Sequence, residues 1–267
     1  MKKLIALFLL GLVIAASGCI GDGTGLTKEK VLTSLKSIET ARYDQNFSMS
    51  MYFTDPSTSK TVNMSMSGRA LGAFNRSAGI DTGNMSLRMH TMGMDIKLNW
   101  PYFINGTSAY FKVDGKWYNA SSSDSLYRQA KGSLNVDYIE NLLRNRNVTI
   151  RKLTNGYAFR VNITFWEFVN ATNQTGYLKE VWGPSLDRVN VTTNSGWVEV
   201  HLRNDGTPTF VEVHMNLTMA FKFAPKETVV AHLTVQQSTV FSDVNGVAGI
   251  KIPKGIKSAG DFKDVVW

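Results

Sequence analysis

Two kinds of residue in this chain could do chemistry by type and spacing: asparagines followed two positions later by a hydroxyl, and a short run in which Glu and His alternate. Twelve of the 20 asparagines begin an Asn-x-Ser/Thr triplet with x not Pro, the N-glycosylation acceptor pattern: Asn46, Asn63, Asn75, Asn84, Asn105, Asn119, Asn147, Asn162, Asn170, Asn173, Asn190 and Asn216. Ser and Thr frequency alone would give roughly three or four. Heavy surface glycosylation is the simplest cause of the excess; a preference for Asn, Ser and Thr on exposed strand faces explains part of it. In the Glu/His run, a two-residue Asp205-Gly206 turn pairs Arg203 with Pro208, His201 with Phe210 and Glu199 with Glu212. Glu199, His201, Glu212 and His214 then share one face, and imidazole with carboxylate is a metal donor set. The same face carries Asn216 and Thr218, which makes it the solvent side of a sheet, so no metal site is expected. No Gly-x-Ser-x-Gly elbow, His-Glu-x-x-His helix or phosphate-cradling Gly loop is present, and His90 and His232 stand alone on strand-like segments. The expectation is no enzyme, no catalytic residue and no cofactor.

The acceptor triplets themselves imply the elements that hold them. Seven lie in alternating runs, and their middle residues, Phe47, Met64, Met85, Val148, Ile163, Val191 and Leu217, are all apolar. With a period of two, Asn and Ser/Thr face solvent while the middle residue joins an inner face shared by many strands. Asn105 and the pair Asn170 and Asn173 read as turns or loops. Thr27 can cap a helix with Val31, Leu32, Leu35 and Ile38 on one face, after which the period changes to two. Strands are predicted at 43–53, 60–74, 79–91, 94–104, 107–113 and 116–120, the last two joined by Asp114-Gly115. One or two short helices are predicted within 123–145, and strands at 146–153 and 157–168. A mixed segment with a short helix at 176–188 precedes strands at 188–193, 196–203, 208–223 and 227–242.

The N-terminus predicts where this domain works. Met1-Lys2-Lys3 is a short basic region, Leu4 to Ala16 is an apolar run of signal-peptide length, and Ala16-Ser17-Gly18 puts small residues just before Cys19. This resembles a lipoprotein signal with its lipobox, although Ala16 stands at the first lipobox position in place of the usual Leu. Cys19 is the only Cys, so the chain holds no disulfide of its own, and a flexible Gly-Asp-Gly-Thr-Gly tether follows at 21–25. The expected organisation is a signal peptide at 1–18, a lipidated Cys and tether at 19–26, and a single domain at 27–267. Removing Lys2 and Lys3 lowers the formal charge from +8 to +6, spread along the chain, which argues against nucleic acid and for a mildly basic surface near anionic lipid or wall polymers. A lipobox with dense acceptor triplets points to an archaeal cell surface, with the chain on the extracytoplasmic face of the membrane.

The order of these features carries a resemblance. A tethered Cys, an amphipathic helix and a long run of antiparallel strands interrupted by helices resembles the lipoprotein-carrier fold of LolA-like carriers and of the mycobacterial LppX and LprG lipoproteins. The segment from Asn105 through Tyr110, Asp114-Gly115 and Trp117-Tyr118 resembles a hairpin of that family, and Ile252-Pro253 resembles its final strand. The resemblance implies an α+β fold, a strongly curved antiparallel sheet or half-barrel wrapped around an N-terminal helix and short mid-chain helices. It also implies a concave surface that holds lipid or another hydrophobic ligand. Phe47, Met49, Met51, Met64, Met66, Met85, Met89, Met215, Leu217 and Met219 fall on the inner face and form the candidate ligand wall. Unbranched thioethers suit flexible apolar shapes, and Met is equally a plain core filler. The alternative from another class is a non-carrier surface glycoprotein that binds an envelope component or a transporter, with an exposed aromatic patch around Trp166 or Trp182.

Overall fold

The computed structural model describes residues 27–54, 59–91, 93–106, 108–121, 147–171, 189–224 and 227–261. The leader, Cys19, the helices expected within 123–145 and 176–188, Asn173 and Trp182 lie outside the described residues.

Helix α1 spans Lys28–Lys36, and its ends are set by local chemistry. The Thr27 hydroxyl accepts from the Lys30 amide at 3.4 Å, Glu29 lies in the first turn and Lys36 in the last, each matched to the helix dipole. Val31 and Leu35 are buried, as is Ile38 just beyond the helix. The C-terminal end is tied down by Asn245, whose side-chain amide donates to Ser37 O at 2.9 Å while its Oδ1 accepts from the amides of Glu39 at 2.8 Å and Thr40 at 3.3 Å.

The strands are β1 (Thr40–Thr54), β2 (Thr61–Asn75), β3 (Ile80–Thr91), β4 (Met94–Asn105), β5 (Ser108–Val113) and β6 (Lys116–Ser121). They continue as β7 (Thr149–Leu153), β8 (Gly156–Asn162), β9 (Val189–Arg203), β10 (Pro208–Ala224), β11 (Glu227–Ser242) and β12 (Gly260–Asp261). Among the described residues they form one open sheet of 12 strands in the order β12-β6-β5-β4-β3-β2-β1-β11-β10-β9-β8-β7. Every pairing is antiparallel except β12 with β6. Two meanders are joined where β1 pairs with β11 from Arg42↔Ser242 to Phe53↔Ala231. The fold class is the expected α+β half-barrel, a curved antiparallel sheet around α1. One core cluster takes in Val31, Leu35 and Ile38 of the α1 segment, Tyr102 and Phe111 of the first meander, and Phe159, Val200 and Val213 of the second.

Four sequence expectations are corrected. Ile252-Pro253, likened to a final strand, lie outside any strand, and the last strand is Gly260–Asp261. The strand expected at 157–168 stops at Asn162, and α2 (Phe165–Ala171) follows. Its head is a reciprocal pair: the Thr164 amide donates to Glu167 Oε2 at 2.7 Å and the Glu167 amide to Thr164 Oγ1 at 3.4 Å. Thr-x-x-Glu is a capping box, a signal readable in the sequence. The strands expected at 188–193 and 196–203 are one, because Gly196 stays extended and its carbonyl accepts from the Ile163 amide at 2.9 Å. His201↔Phe210 and Glu199↔Glu212 pair as expected, but Pro208 faces Leu202 and not Arg203. The Arg203 amide bonds to Thr207 O at 2.9 Å, so the turn is longer than two residues and a bulge restores the register.

After β11 the chain crosses from the middle of the sheet to its edge. The Asn245 amide donates to Thr40 O at 2.7 Å, Ile256 is buried in a 3-10 turn, and β12 then pairs beside β6. Residues 243–261 are therefore a strap across the first meander.

Candidate functional site

The concave face follows directly from the registers. One row runs Met215, Val235, Met49, Met66, Met89 and Ile96 across β10, β11, β1, β2, β3 and β4. The next row toward the strand tips runs Leu217, Leu233, Met51 and Met64. On the other side lie Val213, Gln237, Phe47, Gly68, Leu87 and Leu98. Side chains two apart on a strand share a face, so these rows form a continuous, mainly apolar surface.

Its near end, beside α1, is closed. Tyr43 lies over Gly72, where a Cβ would come within 2.5 Å of the tyrosine hydroxyl, so only glycine lets the ring cross β2. Phe47 lies over Gly68 in the same way. The Tyr43 hydroxyl donates to Asp81 Oδ1 at 2.7 Å, and the Tyr102 hydroxyl reaches the same oxygen at 3.4 Å. Burial pushes the Asp81 carboxyl well above the usual carboxylate range, against a backbone hydrogen bond from Thr82 that lowers it. Burial also raises the Tyr102 phenol. One row further in, buried Gln45 donates from Nε2 to Thr239 Oγ1 at 3.4 Å. The sequence reading missed both polar clusters. A Tyr, Asp or Gln at an inward position of an alternating strand is the signal that was available.

The candidate wall divides into two parts. Met215, Leu217 and Met219 are 2%, 1% and 2% exposed and sit inside the core cluster. Phe165, Phe168 and Ala171 of α2, with Val189, Val191 and Phe221, pack against that cluster, and the Phe165 amide is fixed to Thr193 Oγ1 at 2.9 Å. These three wall residues therefore have almost no surface to offer a ligand. Phe47, Met49, Met51, Met64, Met66, Met85 and Met89 are half-buried, each keeping part of its surface open. Toward the strand tips Ile96 and Met94 are exposed.

The convex face carries the Glu/His run. Glu199 is buried under Arg160 at 3.0 Å, Arg151 at 3.3 Å and His201 at 2.8 Å. Burial works against its charge, but the His201 hydrogen bond and the charges of Arg160, His201 and Arg151 outweigh it and hold the carboxyl below the usual range. Arg160 also lies over the Trp197 ring at 3.9 Å, and Trp197 stacks on His214 at 5.5 Å. Glu199 is thus taken up by ion pairs. Among the described residues no group of three or more His, Cys, Asp or Glu could hold a metal ion. His90 is exposed, and His232 stacks on Tyr52 at 4.8 Å.

The acceptor asparagines distribute by face. Asn46, Asn63, Asn84, Asn105, Asn147, Asn162, Asn170 and Asn190 are exposed, and Asn75, Asn119 and Asn216 are half-buried. The seven apolar middle residues are buried or half-buried. No helix among the described residues is long and apolar enough to cross a membrane.

No family model matches the sequence, and no curated protein matches it. Among solved structures the chain is similar to LprF from Mycobacterium bovis, at 8% identity over 85% of this chain and 96% of that one, with a TM-score of 0.36. It is also similar to a LolA superfamily protein from Nitrosomonas europaea, at 10% identity over 87% of this chain and 97% of that one, with a TM-score of 0.26. A lipovitellin structure determined for its lipid–protein interactions matches 80% of this chain and 26% of its own length, at 11% identity and a TM-score of 0.38.

Proposed function

We propose that this chain is an extracytoplasmic lipoprotein, held at the membrane by lipid on Cys19 and glycosylated on its convex face, that binds a lipid or other hydrophobic ligand against the open half of its concave face. One observation carries the binding part. The inner face is mainly apolar, yet Met215, Leu217 and Met219 on β10 are sealed while the inward Met residues of β1, β2 and β3 are half open. Met49, Met51, Met64, Met66, Met85 and Met89 line the open half, and flexible thioethers accommodate apolar chains of varied shape. At about 25 cal/mol per Å² of apolar surface removed from water, covering some 200 Å² there would contribute about 5 kcal/mol before ordering costs. The role is binding rather than catalysis, with no cofactor. The acyl anchor, the tether and the mildly basic charge support a position near anionic lipid.

The test is native mass spectrometry with solvent extraction on the chain from its own host, washed free of detergent. The expected result is a stoichiometric lipid that disappears in Met49→Trp and Met64→Trp while the protein stays folded. A folded, empty protein would overturn the reading. It would leave the concave Met residues as core and move attention to a protein partner, beginning at Trp166, which is 38% exposed.

A further inference from the structure

The acceptor triplets are equivalent in sequence and unequal in the fold. At Asn46, Asn63, Asn84, Asn147, Asn162 and Asn190, the Asn and the hydroxyl residue two positions on (Ser48, Ser65, Ser86, Thr149, Thr164, Thr192) are both exposed. The strand-borne ones are also well separated. Asn46 pairs with Arg69 and Ser238, Asn63 with Tyr52, Asn84 with Leu71 and Pro101, Asn162 with Trp197, and Asn190 with Ala220. None of these five faces another acceptor; Asn147 lies two residues before β7, whose register with β8 (Thr149↔Arg160) continues toward Asn162, so those two have the nearest roots.

Asn119 is different. It sits on β6 between Tyr110 of β5 and Asp261 of β12, and its Oδ1 is buried without a hydrogen-bond partner. Phe103, in the same row as Tyr110, is buried, with the two rings 6.2 Å apart. A sugar on the Asn119 amide nitrogen would have to stand beside that buried oxygen and next to the end of the strap in β12.

Resting on the glycoprotein part of the proposed function, we infer that the folded chain carries glycan together at Asn46, Asn63, Asn84, Asn147, Asn162 and Asn190, and carries it at Asn119 only in molecules whose β12 has not docked. In the transfer, the Asn amide nitrogen attacks the anomeric carbon of an oligosaccharide carried on a lipid phosphate. The bond from that carbon to the phosphate oxygen breaks, the lipid phosphate leaves, and the amide proton passes to the transferase. Transfer before the sheet pairs would reach the acceptors alike, and the fold would then select which modified molecules reach the native state.

Two measurements test this. Glycopeptide mass spectrometry on the protease-resistant chain from its own host is expected to show glycan at the six open acceptors and none at Asn119. Glycan at Asn119 in folded molecules with β12 protected from proteolysis would overturn the inference. Independently of any host, full chains with Cys19→Ser and one added change among Asn46→Cys, Asn63→Cys, Asn84→Cys, Asn162→Cys, Asn190→Cys and Asn119→Cys are reacted with a maleimide-polyethylene glycol. Five are expected to label at the rate of a free thiol. Asn119→Cys should be roughly tenfold slower or more, opening only with the strap, and should speed up when the chain is ended at Ala259. Equal rates would overturn the sorting. A chain with no glycan at any acceptor would refute the glycoprotein reading itself, and the labelling rates would then say separately whether the fold divides these positions as inferred.

Discussion

The inward residues of β10 and those of β1, β2 and β3 are both rich in Met and alternate in the same way, and they end in different states. Met215, Leu217 and Met219 are sealed, while Met49, Met51, Met64 and Met66 in the neighbouring strands stay half-buried. One difference between the two is α2, whose Phe165 and Phe168 pack against the core and whose Phe165 amide is fixed to Thr193 of β9. Alternation fixes which face turns inward, and a segment elsewhere in the chain decides whether that face becomes core or stays available.

The sharpest way to break this comparison is a pair of truncations. Leu217→Ala removes a side chain that is 1% exposed, so urea unfolding should show a loss of about 2–5 kcal/mol from transfer and cavity terms together. Met49→Ala removes a side chain with water already beside it and should cost about 1 kcal/mol or less in the empty protein. Equal losses would mean that both halves are core, and the ligand wall would go with the difference.

How far the sequence could be read follows the same division. The strands of the first meander, the α1 face and the inward position of all seven triplet middles were legible because each depends on periodicity within one segment. The strand expected through 168 failed because Ile163 and Phe165 continue the alternation of β8, while Phe168, three residues on, and the Thr164/Glu167 pair already mark a helix start. The sealing of Met215, Leu217 and Met219 was not legible, since it depends on contacts between segments far apart in the chain. The Tyr43–Asp81–Tyr102 cluster was hidden for a related reason: the glycine that makes room for Tyr43 is on another strand, and only register brings Gly72 beneath the ring.

That cluster allows the closed end to be compared with the convex face through two carboxyls of opposite behaviour. Asp81 has a folded-state pKa above its unfolded value of about 4, so its contribution is fully present below that pH. Stability is lost as pH rises, by up to about 1.4 kcal/mol per pH unit, until the folded pKa is passed. Glu199 is lowered, so its contribution is present above an unfolded pKa of about 4.3 and is lost as pH falls through the lower folded value. Urea midpoints across pH 3 to 7 should therefore flatten on the alkaline side in Asp81→Asn and on the acid side in Glu199→Gln. If Asp81→Asn leaves the slope unchanged, the carboxyl has better access to water than its half-buried, hydrogen-bonded position implies.

The smallest predicted effect bears most directly on what separates the two halves. Glu167→Ala removes one arm of the capping box that starts α2 and should cost about 1 kcal/mol of global stability. Its local consequence should be larger than that figure suggests, because α2 and its flanks help to seal the inner side of β9 and β10. Amide hydrogen exchange is expected to speed up in Thr164–Ala171, and a small apolar fluorescent probe should gain binding near Met215 and Met219 while the exchange of β1 and β2 stays as it was. Faster exchange spread evenly over the sheet would show that α2 contributes only to overall stability. Exchange confined to α2, with no new probe binding, would show that Val189, Val191 and Phe221 seal that half without it.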